Sequence, residues 1–371
     1  MTARRRQIIS GRMSHQKSDG MNYAPVGKPA PVVKPGEFVF AAVALDHGHI
    51  FGQTQGLVEA GGECRYVYDP DPAKVEKFRE RFPSAQAMRS GEEVLGKKDV
   101  HLITAAAVPS ERGPLGCKVM DAGKDYFTDK APFTTLEQMA QARNVASRTS
   151  RKYMVYYSER LHVEASVRAG QLIEQGAIGR VVQVIGMGPH RSNPKTRPAW
   201  FWSREKTGGI LIDIGSHQFE QFLTYTGAKS ATIQHAAVAN YHHKEYPEFE
   251  DWGECNLLAD NGATNYVRVD WLNPQGLRTW GDGRTFILGT EGYMEVRKYL
   301  NVGVENESDQ LFLVDQKGEH HFRCLGQVGF PYFGQLILDC LDRTEKAMTQ
   351  EHAFLAAELS LKAQAAAKRI E

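Results

Sequence analysis

From residue 38 the chain alternates short unbroken apolar runs with amphipathic stretches. The run Phe38-Val39-Phe40-Ala41-Ala42-Val43-Ala44-Leu45 has strand length and no polar face, the pattern of a strand covered on both sides in a parallel sheet. A turn, Asp46-His47-Gly48-His49-Ile50-Phe51-Gly52, leads into a helix reaching about Ala60, then a strand over 64–68 that ends at Asp69. The pattern repeats: helix over 72–82, strand over 100–106, helix through Cys117 to Ala122 closed by Gly123, strand over 125–128, helix over 136–147, strand over 153–157. Such alternation predicts an α/β fold with a doubly wound parallel sheet. Beyond about residue 158 the rhythm changes. A helix over 164–175 is followed by strands beginning at 181–185, 231–239, 252–258, 264–271 and 284–288, with longer and more polar connections. This reads as an α+β domain with a largely antiparallel, open-faced sheet, one face on helices and the other free to meet a ligand or a second subunit. Helical patterning returns at 332–342 and 352–369.

A chain of 371 residues is long for one domain, and the change of rhythm divides it. Residues 37–157 form the expected dinucleotide-binding unit, 158–349 a substrate-binding and oligomerisation unit, and 350–371 a terminal helix folding back on the first. Residues 1–36 carry Pro25, Pro29, Pro31 and Pro35 with little apolar periodicity, so they read as an extended arm, either disordered or laid across a neighbour. The net charge of +1 gives no field that would draw nucleic acid or a membrane surface, so a small-molecule ligand is expected. Five scattered cysteines without a C-x-x-C pair speak against both disulfides and structural zinc. The basic start lacks an apolar stretch behind it and no run would span a bilayer, so the expected location is the cytoplasm. An open sheet face predicts a homodimer or homotetramer.

Strand, glycine turn, helix, strand and acidic residue form the layout of a mononucleotide-binding unit. Asp46, His47, Gly48, His49 and Ile50 would bring backbone amides and the helix N-terminus to a pyrophosphate, and Asp69 would accept from a ribose 2′-hydroxyl. A carboxylate there repels a 2′-phosphate, which favours NAD over NADP. The turn retains only G-x-x-x-G, with two histidines beside the glycines.

Two segments carry the candidate chemistry: Asp129-Lys130-Ala131-Pro132, and Gly208-Gly209-Ile210-Leu211-Ile212-Asp213-Ile214-Gly215-Ser216-His217. Asp213 and His217 are spaced to share one helical face, although Asp213 equally suits a helix N-cap. Removing hydride from a secondary alcohol needs a group to take the hydroxyl proton, and an ordinary histidine titrates near 6.5. His217 is the candidate base. Lys130 would stabilise developing alkoxide charge, and Asp213 would orient His217 or hold a neighbouring hydroxyl. Glu159 and Arg160 lie where they would touch the nicotinamide or substrate, or form an ion pair at a hinge. His190, Arg191, Lys195 and Arg197 make a basic loop, and Trp200, Phe201 and Trp202 suit either sugar stacking or core packing. His242-His243 and His320-His321 would alternate faces in strands, so no metal ligands are assigned.

The order of elements, Asp129-Lys130-Ala131-Pro132 preceded by Ala122-Gly123-Lys124, and the segment from Gly208 to His217 resemble the Gfo/Idh/MocA oxidoreductases, which include glucose-fructose oxidoreductase and inositol dehydrogenase. The resemblance covers roughly 38–368. It implies a Rossmann domain, an NAD cofactor and a carbohydrate or polyol substrate, with Lys130, Asp213 and His217 catalytic, Asp129 near the nicotinamide ribose and Asp69 the acidic residue after the second strand; Arg160, His190, Arg191 and Trp202 are substrate-side candidates by residue type alone. Three functional classes follow: an NAD-dependent sugar, cyclitol or polyol dehydrogenase; a hydrolase, either an NAD-dependent glycosidase with no net redox change or a metal enzyme built on His47-x-His49; and a catalytically silent dinucleotide or sugar sensor.

Overall fold

The structure, a computed structural model, describes residues 20–304 and 307–371; most of the expected arm, residues 1–19, lies outside them. The described remainder of the arm runs along its own chain. The Gly27 amide donates to Glu59 (3.1 Å to Oε2) and the Val32 amide to the Ala60 carbonyl at 2.9 Å.

The first sheet comprises β1 (Val39–Val43), β2 (Glu63–Tyr68), β3 (Gln86–Ala87), β4 (Leu102–Ala105), β5 (Asp125–Asp129) and β6 (Tyr153–Tyr156). Their spatial order is β3-β2-β1-β4-β5-β6, all parallel, so the crevice where strand order reverses opens beyond the ends of β1 and β4. Every residue of β1, β4, β5 and β6 is buried; β1, β4 and β6 are largely apolar, whereas β5 also buries Asp125, Thr128 and Asp129. The connecting helices are α1 (His49–Glu59), α2 (Pro72–Arg81), α3 (Gly91–Leu95), α4 (Pro109–Asp121) and α5 (Leu136–Thr149). Their starts follow local chemistry. Asp71 caps α2 through the Ala73 amide with Pro72 at the first position, and Thr135 caps α5 through the Gln138 amide.

Two short helices, α6 (Ser158–Leu161) and α7 (Glu164–Glu174), lead into the second sheet. Its strands are β7 (Val181–Pro189), β8 (Ala231–Ala239), β9 (Trp252–Ala259), β10 (Thr264–Asp270), β11 (Arg284–Gly289), β12 (Tyr293–Arg297), β13 (Gln310–Asp315), β14 (Gly318–Arg323) and β15 (Lys368–Ile370). The order is β14-β13-β12-β11-β7-β10-β9-β8-β15. Pairing is antiparallel except for β7 with β10 and β8 with β15. A short helix, α8 (Arg204–Thr207), meets α4 of the first domain; one face of the sheet is packed by α9 (Ile210–Asp213) and α10 (Gly215–Thr226), and the other leaves Leu258, Leu288 and Tyr293 exposed. The last helices are α11 (Pro331–Asp342) and α12 (Gln350–Ala366). The latter lies against α10 and β8 on one side and against α5 and β6 on the other, where Phe354 stacks on Phe133 at 5.8 Å.

The structure departs from the sequence reading in three places. The strands β12 to β14 were not anticipated: β14 carries a weak apolar signal, and the run Leu311-Phe312-Leu313-Val314 of β13 stands isolated between polar, acidic segments. The terminal helix ends at Ala366, and β15 takes the residues that follow. Asp213 and His217 do not share one continuous helix: α9 ends at Asp213 and α10 begins at Gly215, with Ile214 between them.

Candidate active site

Lys130 follows directly on β5, at the ligand edge of the first sheet, and Asp213 ends α9 on the inner face of the second. Their side chains meet across 83 residues of sequence, with Lys130 Nζ donating to Asp213 Oδ1 at 2.7 Å. Burial acts to raise the Asp213 carboxyl, but the ammonium of Lys130 outweighs it and holds the group below its usual range. The N-cap reading of Asp213 is corrected here. Gly208 and Gly209, both at positive φ, turn the chain sharply enough that Glu250 accepts the Ile210 amide (2.9 Å) and Gln364 the Leu211 amide (2.9 Å). Freed from capping, the Asp213 carboxylate faces Lys130. Nor does it orient His217: the buried Nδ1 of His217 has no hydrogen-bond partner among the described residues.

His217 is almost wholly enclosed, and burial first, then the positive charge of Lys130, lowers its pKa to about 3. The imidazole is therefore neutral across the physiological range, rather than poised near 6.5. Beside it, the Glu159 carboxylate receives Lys298 Nζ at 2.6 Å and Gln218 Nε2 at 2.8 Å. Burial opposes the charge on Glu159, but Lys298 with the neighbouring imidazoles keeps it well below the usual carboxylate range. The other oxygen of Glu159 is buried without a hydrogen bond and lies 3.8 Å from His190 Nε2. His190 itself is wedged against Trp271 and Trp280, and burial lowers its pKa to about 4.

The glycine-poor turn has its own architecture. His47 Nδ1 lies 3.0 Å from Asp129 Oδ2, and His49 Nδ1 lies 2.8 Å from Asp129 Oδ1. Arg112 donates to the same carboxylate at 3.0 Å, to the carbonyl of Ala107, and to those of Lys130 and Ala131 on either side of the cis Lys130–Ala131 peptide bond. Both imidazoles thus fold beneath the turn toward β5. Burial drives the His47 pKa down to about 3, with His49 acting in the same direction. Asp46, His47 and Gly48 remain partly exposed at the α1 N-terminus, with Ile50 buried beneath. Asp69 fixes the β1–β2 edge: its two oxygens accept the Leu45 amide (2.7 Å) and the Asp71 amide (2.9 Å), with Lys74 3.7 Å away.

Several candidates have other partners. Arg160 pairs with Glu220 through three bonds of 2.5, 2.8 and 2.9 Å, the hinge ion pair rather than a contact to the Lys130 cluster. Arg191 donates to the Pro274 and Leu277 carbonyls at 3.0 and 2.6 Å, tying down a loop. Trp202 stacks on Tyr246 at 3.8 Å in an aromatic cluster with Phe249 and His243, so it packs the fold. Arg197 lies over the rings of Phe201 and Trp271, and Trp200 lies 6.4 Å from His47. Three participants escaped the sequence reading: Arg112, Lys298 and Trp280. Only Arg112 left a signal, an arginine on the sheet-facing side of a helix.

Comparison with known proteins agrees with the fold. The model of the oxidoreductase family with an NAD-binding Rossmann fold matches residues 43–157, and that of the GFO/IDH/MocA C-terminal domain matches residues 166–295. A solved protein from Erwinia carotovora atroseptica SCRI1043 is 46% identical, with a TM-score of 0.87 over 90% of this chain and 100% of its own. The scyllo-inositol 2-dehydrogenase (NAD(+)) of Bacillus subtilis (strain 168) is 24% identical over 238 residues, 62% of this chain and 65% of its own. The D-xylose dehydrogenase of Paenarthrobacter nicotinovorans is 25% identical over 150 residues, 39% of this chain and 38% of its own. The chain therefore spans less than two thirds of the length of these two curated relatives. No helix among the described residues is long and apolar enough to cross a membrane. With a Rossmann sheet carrying Lys130, a second domain supplying Asp213 and His217, and both halves matched by their family models, the chain belongs to the Gfo/Idh/MocA oxidoreductases.

Proposed function

We propose that this protein is an NAD-dependent oxidoreductase acting on a secondary hydroxyl of a sugar, cyclitol or related polyol, with Lys130 and His217 in proton transfer. The contact between Lys130 and Asp213 carries the reading, because it joins the ligand edge of the dinucleotide sheet to the second domain where a substrate would be enclosed. The relatives named for scyllo-inositol and D-xylose support the substrate class.

The residues fit a dinucleotide. The α1 N-terminus stands at the end of β1, the setting for a pyrophosphate. A Cβ at Gly52 would come 2.6 Å from Tyr156 Oη, so this glycine lets α1 sit close against the sheet, as the last glycine of a dinucleotide turn does. Asp46, His47, Gly48, His49 and Ile50 would hold the phosphates through backbone groups, Asp69 the adenine-side ribose, and Asp129, Lys130 and Glu159 the nicotinamide end. Each Asp69 oxygen keeps a lone pair beyond its amide bond, and its charge favours NAD over NADP. When bound, NAD supplies the acceptor for the substrate's hydride.

The remaining steps belong to the chain. Asp213 holds the Lys130 ammonium where the substrate hydroxyl would meet it, and the positive charge stabilises oxygen as its proton departs. Neutral His217, with a lone pair available, receives that proton. Glu159 and His190 line the same enclosure, and a polyol's remaining hydroxyls would satisfy the unpartnered oxygen of Glu159. The exposed apolar residues of the second sheet support pairing with a further copy of the chain.

A panel of polyols and glycosides, followed for both NADH formation and aglycone release, tests the reading. We expect NADH from a polyol, with Lys130→Ala and His217→Ala each lowering turnover by about 10² or more while dinucleotide binding persists. Near-normal turnover in both variants overturns the assignment, and aglycone release without net NADH would transfer it to the glycosidase.

A further inference from the structure

The turn that replaces the usual glycine-rich loop gathers two imidazoles and a carboxylate on one point. His47, His49 and Asp129 each present one donor atom, all within 4.8 Å of one another. We infer that these three side chains form a binding site for one first-row divalent transition-metal ion, with a further coordination position left for an oxygen ligand. The three residues belong to the same turn as the proposed dinucleotide site, but the metal reading and its test require no cofactor.

The hydrogen-bond arithmetic points there. Both ring nitrogens of His49 face oxygen: Nδ1 is 2.8 Å from the Asp129 carboxylate, and Nε2 is 3.2 Å from the Gly20 carbonyl. A neutral imidazole carries one N–H. If Nε2 donates to the carbonyl, which only accepts, the lone pair of Nδ1 points at the carboxylate. That is the arrangement of a metal-ligating histidine, whose outer N–H is fixed by a backbone carbonyl while the inner nitrogen ligates. His47 meets a similar conflict. Its Nδ1 lies 3.3 Å from the His49 amide, a donor, and 3.0 Å from Asp129 Oδ2, an acceptor. As acceptor for the amide it sets a lone pair against the carboxylate; as donor to the carboxylate it opposes the amide N–H. A cation among the three donors relieves both conflicts.

The spacing suits such an ion. Metal–ligand bonds of about 2.0–2.2 Å at tetrahedral angles place donor atoms about 3.3–3.6 Å apart. His49 Nδ1 lies 2.8 Å from Asp129 Oδ1 and His47 Nδ1 3.0 Å from Oδ2, and one donor atom from each residue falls within 4.8 Å of the others, a spread that small side-chain shifts close around an ion. Two nitrogens and one oxygen from the protein form the donor set of open, reactive sites rather than of closed structural ones. Arg112, enclosed to 1% exposure, holds the carboxylate from behind as an outer partner of a ligand does. Its charge also sets the chemistry of the open position. Two neutral imidazoles, one carboxylate, one guanidinium and a divalent ion leave an excess of two positive charges, which favours an anionic oxygen such as hydroxide or alkoxide.

The full-length protein, freed of metal by chelation, would be dialysed against Zn²⁺ and separately against Co²⁺, with bound metal measured by elemental analysis and the Co²⁺ site by its visible absorption. One ion per chain, with a visible Co²⁺ spectrum, is expected. His47→Ala with His49→Ala, and separately Asp129→Asn, should each weaken binding by 10-fold or more, whereas His242→Ala, on an exposed loop, should bind as the parent does. Circular dichroism verifies that each variant is folded, and the histidine pair keeps the test available if Asp129→Asn does not fold. Less than a tenth of an ion per parent chain, or undiminished binding in the folded double-histidine variant, overturns the inference and assigns the cluster to an imidazolium–carboxylate network.

Discussion

Replacing Lys298 by Met separates the two roles a buried charge can play. Lys298 is fully enclosed, Glu159 is 2% exposed, and they meet at 2.6 Å although one follows β12 and the other lies in α6 at the edge of the first sheet. Without the ammonium, Glu159 keeps only the Gln218 amide at 2.8 Å and an imidazole 3.8 Å away. Removing one member of a buried pair costs about 3–5 kcal/mol, because an uncompensated charge remains, whereas replacing both members is often nearly neutral. Lys298→Met should therefore lose about 3–5 kcal/mol at neutral pH, and adding Glu159→Gln should recover most of it. The pH dependence has a definite sign. In the parent, the folded pKa of Glu159 is depressed, so its contribution is complete above the unfolded value near 4.5 and is lost as pH falls through the folded value. In Lys298→Met, burial, the largest influence on Glu159, is no longer offset by the ammonium and should outweigh the Gln218 amide, raising the group above 4.5, so its contribution is lost as pH rises. The deficit of the variant should shrink between pH 7 and pH 4. Urea unfolding at both pH values, followed by circular dichroism, measures it. A single variant within about 1 kcal/mol of the parent, or a double variant no more stable than the single, would refute the reasoning.

Three further outcomes follow from burial. Because the pKa of His217 is lowered to about 3, kcat/KM should show no acid limb near 6.5 between pH 5 and 8; a limb there that vanishes in His217→Gln would place the base in a far wetter setting. The same enclosure makes stability pH-dependent: His162, His190 and His217 have folded values of about 3, 4 and 3, so the unfolded chain takes up protons first as pH falls below about 6.5. Stability complete above that point should decline by up to about 1.4 kcal/mol per histidine per pH unit, and a thermal midpoint unchanged from pH 7.5 to 5.5 contradicts it. Gly116→Ala should destabilise by about 1–3 kcal/mol, since its Cβ would fall 2.3 Å from the Tyr153 ring and 2.7 Å from that of Tyr126; a loss below 0.5 kcal/mol in urea unfolding would show that the rings yield.

The first sheet was legible because a strand buried on both faces is mostly apolar. Phe38 to Leu45 is apolar throughout and the runs that became β4 and β6 nearly so, whereas β5 buries Asp125, Thr128 and Asp129 and was read from its place in the alternation. In the second sheet only one face is buried, and the signal weakens as strands approach the edge. β14, with alternating polar residues and two histidines, is exposed on most positions and left no apolar trace. The site was readable as residue types but not as partnerships. Spacing suggested that Asp213 serves His217, yet the turn at Gly208 and Gly209 lets Glu250 and Gln364 cap the helix and turns Asp213 to Lys130. Those caps lie 40 and 153 residues away, and no local pattern encodes them.

The histidine turn shows how a local rule can fail while its purpose is kept. Glycines are ordinarily needed in this loop so that bare backbone can approach a pyrophosphate, and His47 and His49 seem to forbid that when placed on an extended diagram of the chain. Their rings, however, go beneath the loop, because Asp129 at the end of β5 and Arg112 from α4 supply a buried carboxylate and its counter-charge. An acid at position 129 is thereby bound up with the two histidines, and the position expected only to lie near a nicotinamide ribose becomes the floor of the turn. The loss of glycines and the identity of the residue before Lys130 are one structural fact, which is why neither was interpretable alone. Substituting any one of the three should release the others: without the carboxylate, two imidazoles would return to the space the backbone needs, and dinucleotide affinity and metal binding would fall together.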